Sequence, residues 1–297
     1  MTSLLPRVKS KMAIFAHRKA RGMLDGEYGS VFRGRSLDFD DLRAYVPGDE
    51  VRDIDWKASA RHGSPLIRRY VAVRRQTLIL VADTGRNMAA VSRSGEVKKD
   101  IAVMALGVAG YLAYRHGDVV GLVSGDSAAT GTIPAKAGEA HLERLLRHVD
   151  SHAGLDAAPS RIEDQLDHVA RTVKGRNLLF VVADEIPASP ALEQLLRRLR
   201  AQHEILWLTI RDADLVPSGA TPSSGAGFFS VSDSVVLPMH IAATEAIAAA
   251  YANAAAERDA ARNTMLRRTG ITEGTVDGSR DVVSALFALL ERHRRAG

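Results

Sequence analysis

The sequence lacks cysteine, is poor in aromatic residues and has no apolar run long enough to cross a membrane. None of its 297 residues is Cys, and only 5% are aromatic. The absence of Cys excludes disulfide bonds and Cys-based zinc, iron–sulfur or thiol chemistry. The best candidate for a spanning helix, residues 101–113, is well short of the ~20 residues that a span needs. Pro6 interrupts the apolar residues that a signal peptide would require. We therefore expect a cytoplasmic protein.

Acidic residues are absent from the first 19 positions, although the chain as a whole has a net charge of only +5. The basic residues of this segment are Arg7, Lys9, Lys11, Arg18 and Lys19. Val8, Met12 and Phe15 recur at helical spacing, which predicts a helix over residues 1–21. We interpret it as a solvated or docking helix. The alternative is that the basic segment binds an anionic membrane surface or nucleic acid.

Most sequence signatures of enzymes are missing. The chain has no G-x-G-x-x-G after a strand, no Walker A loop, no H-E-x-x-H and no G-x-S-x-G nucleophile elbow. Its ten His residues are scattered along the chain. We therefore expect a non-enzymatic protein.

Acidic and basic side chains alternate densely over residues 34–61, with a Trp among them. Short apolar pieces between turn-forming residues predict a small irregular β-rich unit within an N-terminal subdomain, residues 1–75. The acids argue against nucleic acid as the ligand because they repel phosphates. Trp and Arg are enriched at binding hot spots, so we interpret the unit as a protein-docking surface. The alternative is a set of charge pairs that only stabilises the subdomain. The candidate partner-binding residues are Arg43, Asp49, Arg52, Asp55, Trp56 and Arg61.

From residue 76 onward, apolar runs alternate with amphipathic helical patterns. Residues 77–82, 118–124, 177–183 and 204–210 are nearly continuous apolar runs, as in strands that are buried on both faces. Residues 130–134 are consistent with an edge strand. The order of these patterns predicts an α/β domain over residues 76–297, with a doubly wound, mostly parallel sheet and helices on both faces.

Two of the predicted strands end at an acidic residue, Asp83 and Asp184. The carboxyl ends of parallel strands meet at one edge of a sheet, where α/β proteins bind ligands. Carboxylates there suit Mg²⁺ or Mn²⁺, and Asn87 and Ser160 are candidates for further oxygen ligands. One interpretation is a metal-dependent hydrolase, for example of phosphate esters, that uses Asp83 and Asp184. The alternative is that Asp83 only caps its own loop through backbone N–H groups.

The charged segment also carries a family resemblance. Residues 33–61, R-G-R-S-L-D-F-D-D-L-R-A-Y-V-P-G-D-E-V-R-D-I-D-W-K-A-S-A-R, closely resemble the signature of the bacterial domain-of-unknown-function 58 family. The resemblance implies that a von Willebrand factor A-like domain follows the signature, which agrees with the elements predicted after residue 76. It also implies a MoxR-type AAA+ ATPase as the partner.

The von Willebrand A fold often carries a metal-ion-dependent adhesion site, with a first loop of the form D-x-S-x-S, a Thr from a second loop and an Asp from a third. The resemblance matches Asp83 to the first Asp, Ser160 to the Thr and Asp184 to the last Asp. Gly85 and Asn87 stand where the two Ser residues belong. The resemblance therefore implies a degenerate site, at which Mg²⁺ would be held by Asp83, Asn87, Ser160 and Asp184.

Overall fold

The computed structural model describes residues 3–15, 42–46, 49, 51, 54–68, 75–213, 228–231, 235–237 and 245–296. Arg52 lies outside these residues. The helices, numbered in chain order, are α1 (Leu4–Phe15), α2 (Trp56–His62), α3 (Lys98–Arg115), α4 (Glu139–His152), α5 (Ile162–Thr172), α6 (Pro190–Gln202), α7 (Glu245–Arg268) and α8 (Val282–Ala296). The strands are β1 (Leu42–Ala44), β2 (Leu66–Arg68), β3 (Thr77–Asp83), β4 (Val119–Gly125), β5 (Thr130–Lys136), β6 (Leu178–Ala183), β7 (Glu204–Ile210), β8 (Phe228–Ser230), β9 (Val235–Leu237) and β10 (Thr272–Val276).

Six strands form one sheet in the order β10-β7-β6-β3-β4-β5. All neighbours pair in parallel except β4 and β5, so β5 is an antiparallel edge strand. This arrangement confirms the predicted mostly parallel α/β sheet and the predicted edge strand at residues 130–134. The sequence did not predict β10, which forms the other edge, because T-E-G-T-V has no apolar run.

Helices cover both faces of the sheet. The apolar run of β3 is unbroken because successive side chains point to opposite faces of the sheet and both faces are covered. Leu78 and Leu80 pack in one core with α1, α3, α4 and α8. Ile79 and Val81 pack in the other core with α5, α6 and the C-terminal end of α7. The central strand is therefore buried on both sides, as its composition predicts.

The N-terminal helix α1 packs on the α/β domain, although the sequence grouped it with the charged segment. Leu5, Val8 and Met12 are buried in the same core as α3 and α4. The carboxylate of Glu143 in α4 accepts the N–H groups of Leu4 and Leu5, at 3.0 and 2.7 Å. This acid satisfies donors that a helix N-terminus leaves free. A membrane role for α1 would require the helix to leave this position.

The described part of the predicted N-terminal subdomain, residues 1–75, contains a small antiparallel pair, β1 with β2, and the short helix α2. A second antiparallel pair joins β8 with β9. Within the described part of the chain, none of the helices is both long enough and apolar enough to cross a bilayer.

Candidate functional site

Three acidic residues lie at the carboxyl ends of three strands that are neighbours in the sheet. Asp83 ends β3, Asp184 directly follows β6, and Asp212 lies two residues after β7. Because β3 pairs with β6 and β6 pairs with β7, all in parallel, the acids share one edge of the sheet. The structure therefore brings Asp83 and Asp184 to the same edge, where α/β proteins commonly bind ligands.

Asp83 is almost completely buried and organises its own loop. Its Oδ1 accepts a hydrogen bond from the N–H of Gly85 at 2.7 Å, which is the loop-capping role that we considered for this residue. Burial is the main reason that the pKa of Asp83 rises to about 7, and the Gly85 N–H opposes that rise. Near neutral pH the carboxyl is thus partly protonated.

Gly85 is required by a close approach of two loops. A Cβ atom at this position would lie 2.5 Å from the Cα of Ser160 and 2.6 Å from its Oγ, which is closer than non-bonded atoms tolerate. The N–H of Arg86 also donates to the carbonyl of Ala158 at 2.9 Å. The loop after β3 is therefore packed directly against residues 158–160, and the space for a Ser side chain at position 85 is already filled.

Asn87 and Ser160, the other two predicted ligands, each turn a buried oxygen inward. Asn87 Oδ1 has no hydrogen-bond partner among the described residues. The Ser160 hydroxyl lies close enough to the Asp83 carboxyl to act as a hydrogen-bond donor that opposes the rise of its pKa. Buried polar atoms are normally paired, so the Asn87 oxygen is the feature of the site that favours a bound cation.

Sequence analysis missed the residue that dominates the charge of this edge, Lys98. Its side chain is 1% exposed, and its Nζ donates to Asp184 Oδ1 at 2.8 Å and also to Asp212 Oδ1. Burial opposes the charge on Lys98, but the carboxylates of Asp184 and Asp212 outweigh that cost and raise the pKa of its ammonium. Lys98 is therefore a fixed positive charge between two strand ends.

Burial also raises the pKa of Asp184, to about 6, while Lys98 acts in the opposite direction. Asp184 is therefore ionised at neutral pH. Its Oδ1 accepts the N–H of Glu185 at 2.8 Å in addition to the ammonium, so this oxygen is held from two sides.

The loop between β3 and α3 carries Lys98 into place. Ser92 forms a bridge with Asp212, and the N–H of Lys98 donates to the carbonyl of Ala90 at 2.9 Å. The loop thus reaches from β3 across to β7 before α3 begins. A lysine in the first turn of a helix opposes the helix dipole. In the folded chain the acids at the strand ends compensate for that mismatch.

The residues present do not fit the divalent site that the resemblance implies. Gly85 supplies no oxygen, and a serine in its place would collide with Ser160. Asp184 is already bound by an ammonium. A cation that shared this carboxylate would lie close to Lys98 and be repelled by it. Among the described residues, no cluster of three or more His, Cys, Asp or Glu side chains is arranged to hold a metal.

The candidate partner-binding residues divide into two groups. Asp49 and Asp55 have local structural roles. Asp49 accepts from the Arg43 guanidinium at 2.7 Å and from the N–H of Val46 at 3.1 Å. Asp55 caps α2 by accepting the N–H groups of Lys57 and Ala58. Hydrogen bonds to the Arg43 guanidinium hold the pKa of Asp49 below its usual value.

The second group is exposed to solvent. Trp56 is 66% exposed in the first turn of α2, and Arg43 and Arg61 are also exposed. Three other apolar residues of this segment, Leu42, Val46 and Val51, are exposed as well. Exposed Trp and Arg side chains on a capped scaffold are typical of a protein-binding surface.

Several solved structures are similar to this chain. An aerotolerance-related membrane protein from Bacteroides fragilis with multiple mutations to serine is 13% identical, with 73% of this chain and 99% of that chain covered and a TM-score of 0.46. The protein BatB from Bacteroides thetaiotaomicron is 13% identical, with 74% and 99% covered and a TM-score of 0.43. A von Willebrand factor type A protein from Catenulispora acidiphila is 7% identical, with 77% and 44% covered and a TM-score of 0.41.

Sequence comparison gives a family match. The family described as "Protein of unknown function DUF58" matches residues 41–260. Uncharacterized protein Mb1516 of Mycobacterium bovis and uncharacterized protein Rv1480 of Mycobacterium tuberculosis are each 28% identical over 199 residues, which is 66% of this chain. The chain spans 61% of the length of these curated relatives. The family match includes both the β1–β2 pair and the strand-end loops.

Proposed function

We propose that this chain, which belongs to the family of proteins of unknown function DUF58, is a non-enzymatic adaptor in the cytoplasm. The partner would be a MoxR-type AAA+ ATPase, the class that the resemblance of residues 33–61 implies. The observation that carries the proposal is the 66% exposure of Trp56 within a family signature whose acids hold the local backbone. A large aromatic side chain left in water at a fixed position is available to anchor a partner.

The signature surface, which we define as Arg43, Val46, Val51, Trp56 and Arg61, combines apolar and cationic groups. All five side chains are exposed. Arg presents several donors in a planar fork, which suits carboxylates on a partner. In this proposal Asp49 and Asp55 set the shape of the surface, and the exposed residues make the contacts.

The strand-end loops have a supporting role in this proposal. They are a degenerate form of a metal-ion-dependent adhesion site, in which packing and internal ion pairs replace part of the ligand set. Nothing in the proposal requires a chemical step at Asp83 or Asp184.

Cross-linking with a purified MoxR-type ATPase from the same organism tests the adaptor role. We expect a specific complex whose cross-links map to Lys57, in the first turn of α2, and its surroundings. A matched reaction with the Trp56→Ala variant should give much less complex. Absence of a complex with the wild-type chain, or cross-links confined to the opposite end of the α/β domain, would contradict the proposal.

A turnover screen tests the non-enzymatic part separately. Phosphate esters and nucleic acids would be incubated with the full chain in the presence of Mg²⁺ or Mn²⁺. We expect no turnover above that of a blank. Metal-dependent hydrolysis that disappears in Asp184→Ala would instead establish the hydrolase interpretation.

A further inference from the structure

The strand-end edge contains a buried cation that belongs to the chain itself. The ammonium of Lys98 is 1% exposed and pairs with Asp184 and Asp212. An unpaired ammonium or carboxylate at such a depth is strongly unfavourable. These three groups therefore form one unit in which the ammonium stabilises both carboxylates.

The backbone of the loop before α3 holds Lys98 beside the two acids, in the position that a metal ion would need. Lys98 begins α3, and its own N–H is bonded to Ala90. The Ser92–Asp212 bridge fixes the same loop to the end of β7. These backbone contacts fix the Cα of Lys98 beside the two acids.

Charge gives a second, independent argument. Asp83 is the third acid of the edge, and its backbone bond to Gly85 already satisfies one oxygen. The carboxylate of Asp184 is shared with Lys98 within hydrogen-bonding distance. A doubly charged ion beside an ammonium in a buried, weakly screened site is repelled.

We propose that the Lys98 ammonium takes the charge-balancing place of a divalent ion at this edge, so that the strand-end loops are assembled without metal. The inference concerns the chain alone and does not depend on the identity of the partner. Lys98 is a positioning residue in this account, because it holds the ends of β6 and β7 and the start of α3 together. The unpartnered oxygen of Asn87 is the opposing feature, and a direct ion titration tests it.

The first measurement is the binding of Mn²⁺ to the full, chelator-treated chain by electron paramagnetic resonance, with thermal unfolding in parallel. We expect no stoichiometric site, and a melting temperature that millimolar Mg²⁺ or Mn²⁺ leaves unchanged. Tight binding of one Mn²⁺ that is lost in Asp83→Asn would overturn the inference.

Removal of the internal cation is the second measurement. Lys98→Met should lower the melting temperature. Mn²⁺ should raise it again by more than about 2 °C, because the acids that have lost the ammonium can then bind the ion. Lys99→Met is the matched control, since the Lys99 ammonium donates to a backbone carbonyl, that of Asp150 at 3.3 Å. The control should unfold like the wild type with or without Mn²⁺. A Lys98→Met variant that behaves like the control would contradict the inference.

The double variant Lys98→Met with Asp184→Asn keeps the test decisive if the single variant does not fold. It removes a positive and a negative charge together, so we expect it to fold and to melt above Lys98→Met. It should also show a weaker response to Mn²⁺. Failure of the second substitution to restore folding or stability would show that lost charge balance is not the cause, and would overturn the proposal.

Discussion

Lys98 and Asp184 are 86 residues apart in the chain, yet the ammonium of the first lies 2.8 Å from the carboxylate of the second. The pair joins the start of α3 to the end of β6, across the edge of the sheet where ligands bind in this class of fold. Asp212 binds the same ammonium from β7. The chain thus pairs two of its strand-end acids with a cation of its own.

The two acids that share Lys98 differ in burial, and we expect them to differ in energetic weight. The Asp184 side chain is 5% exposed, whereas that of Asp212 is 45% exposed. Asp184→Asn should cost about 3 kcal/mol of unfolding free energy because a buried pair loses one member. Asp212→Asn should cost less than about 1 kcal/mol, since water screens an exposed acid. Urea unfolding at neutral pH measures both values, and equal costs would refute this assignment.

Serine at position 85 restores the sequence of the adhesion-site loop but should destabilise the protein. The new Cβ would collide with the backbone of Ser160, so Gly85→Ser should cost about 1–3 kcal/mol. Gly131→Ser is the control, since the nearest atom to its Cβ is 3.9 Å away. We expect the control to unfold within about 0.5 kcal/mol of the wild type. A Gly85→Ser variant that gains stability with Mg²⁺ would show that the space for a ligand exists after all.

The docking of α1 depends on a glycine in α3. A Cβ at Gly107 would lie 2.5 Å from Val8 Cγ2. Gly to Ala in a helix normally gains up to ~1 kcal/mol in propensity, but here the clash should outweigh that gain and loosen α1. The double variant Gly107→Ala with Val8→Ala should recover stability relative to Gly107→Ala alone. Thermal unfolding of the full cycle measures the coupling, and strict additivity of the two substitutions would mean that the two residues do not touch.

Glu204 gives a prediction about acid stability. Hydrogen bonding to His293, followed by the bond to Arg176 and the charges of Arg200 and Arg176, lowers the pKa of Glu204 to about 2. A carboxyl whose pKa is lower in the folded state stabilises the fold above its unfolded pKa of ~4.3. That contribution is lost as the pH falls toward 2. We therefore expect Glu204→Gln to lower the unfolding free energy at pH 7 and to have a smaller effect near pH 3. A pH-independent difference between the two proteins would refute the assignment.

The sequence predicted those parts of the fold whose signal is local. The strands β3, β4, β6 and β7 are continuous apolar runs because helices cover both of their faces. The edge strand β10 escaped prediction, since its T-E-G-T-V sequence is only partly buried and its pairing with β7 is non-local.

In the candidate site, too, only the residues with a local sequence signal could be predicted. Asp83 and Asp184 could be identified because each ends an apolar run. Lys98 could not be identified, because its contact with the acids depends on the path of the loop over residues 84–97, which only the folded chain reveals. Gly85 was first interpreted as a lost ligand, whereas its contact with Ser160 shows a requirement for close packing.

The most direct test of the proposed function is the dissociation constant of the complex between the full chain and a purified MoxR-type AAA+ ATPase. We expect Trp56→Ala to weaken binding by at least about tenfold, the effect of losing a hot-spot side chain. Leu155→Ala is the matched control, because Leu155 is also 66% exposed and lies outside the signature surface. It should bind like the wild type. Equal affinities of the wild-type, Trp56→Ala and Leu155→Ala proteins, or no measurable binding of the wild type, would contradict the account.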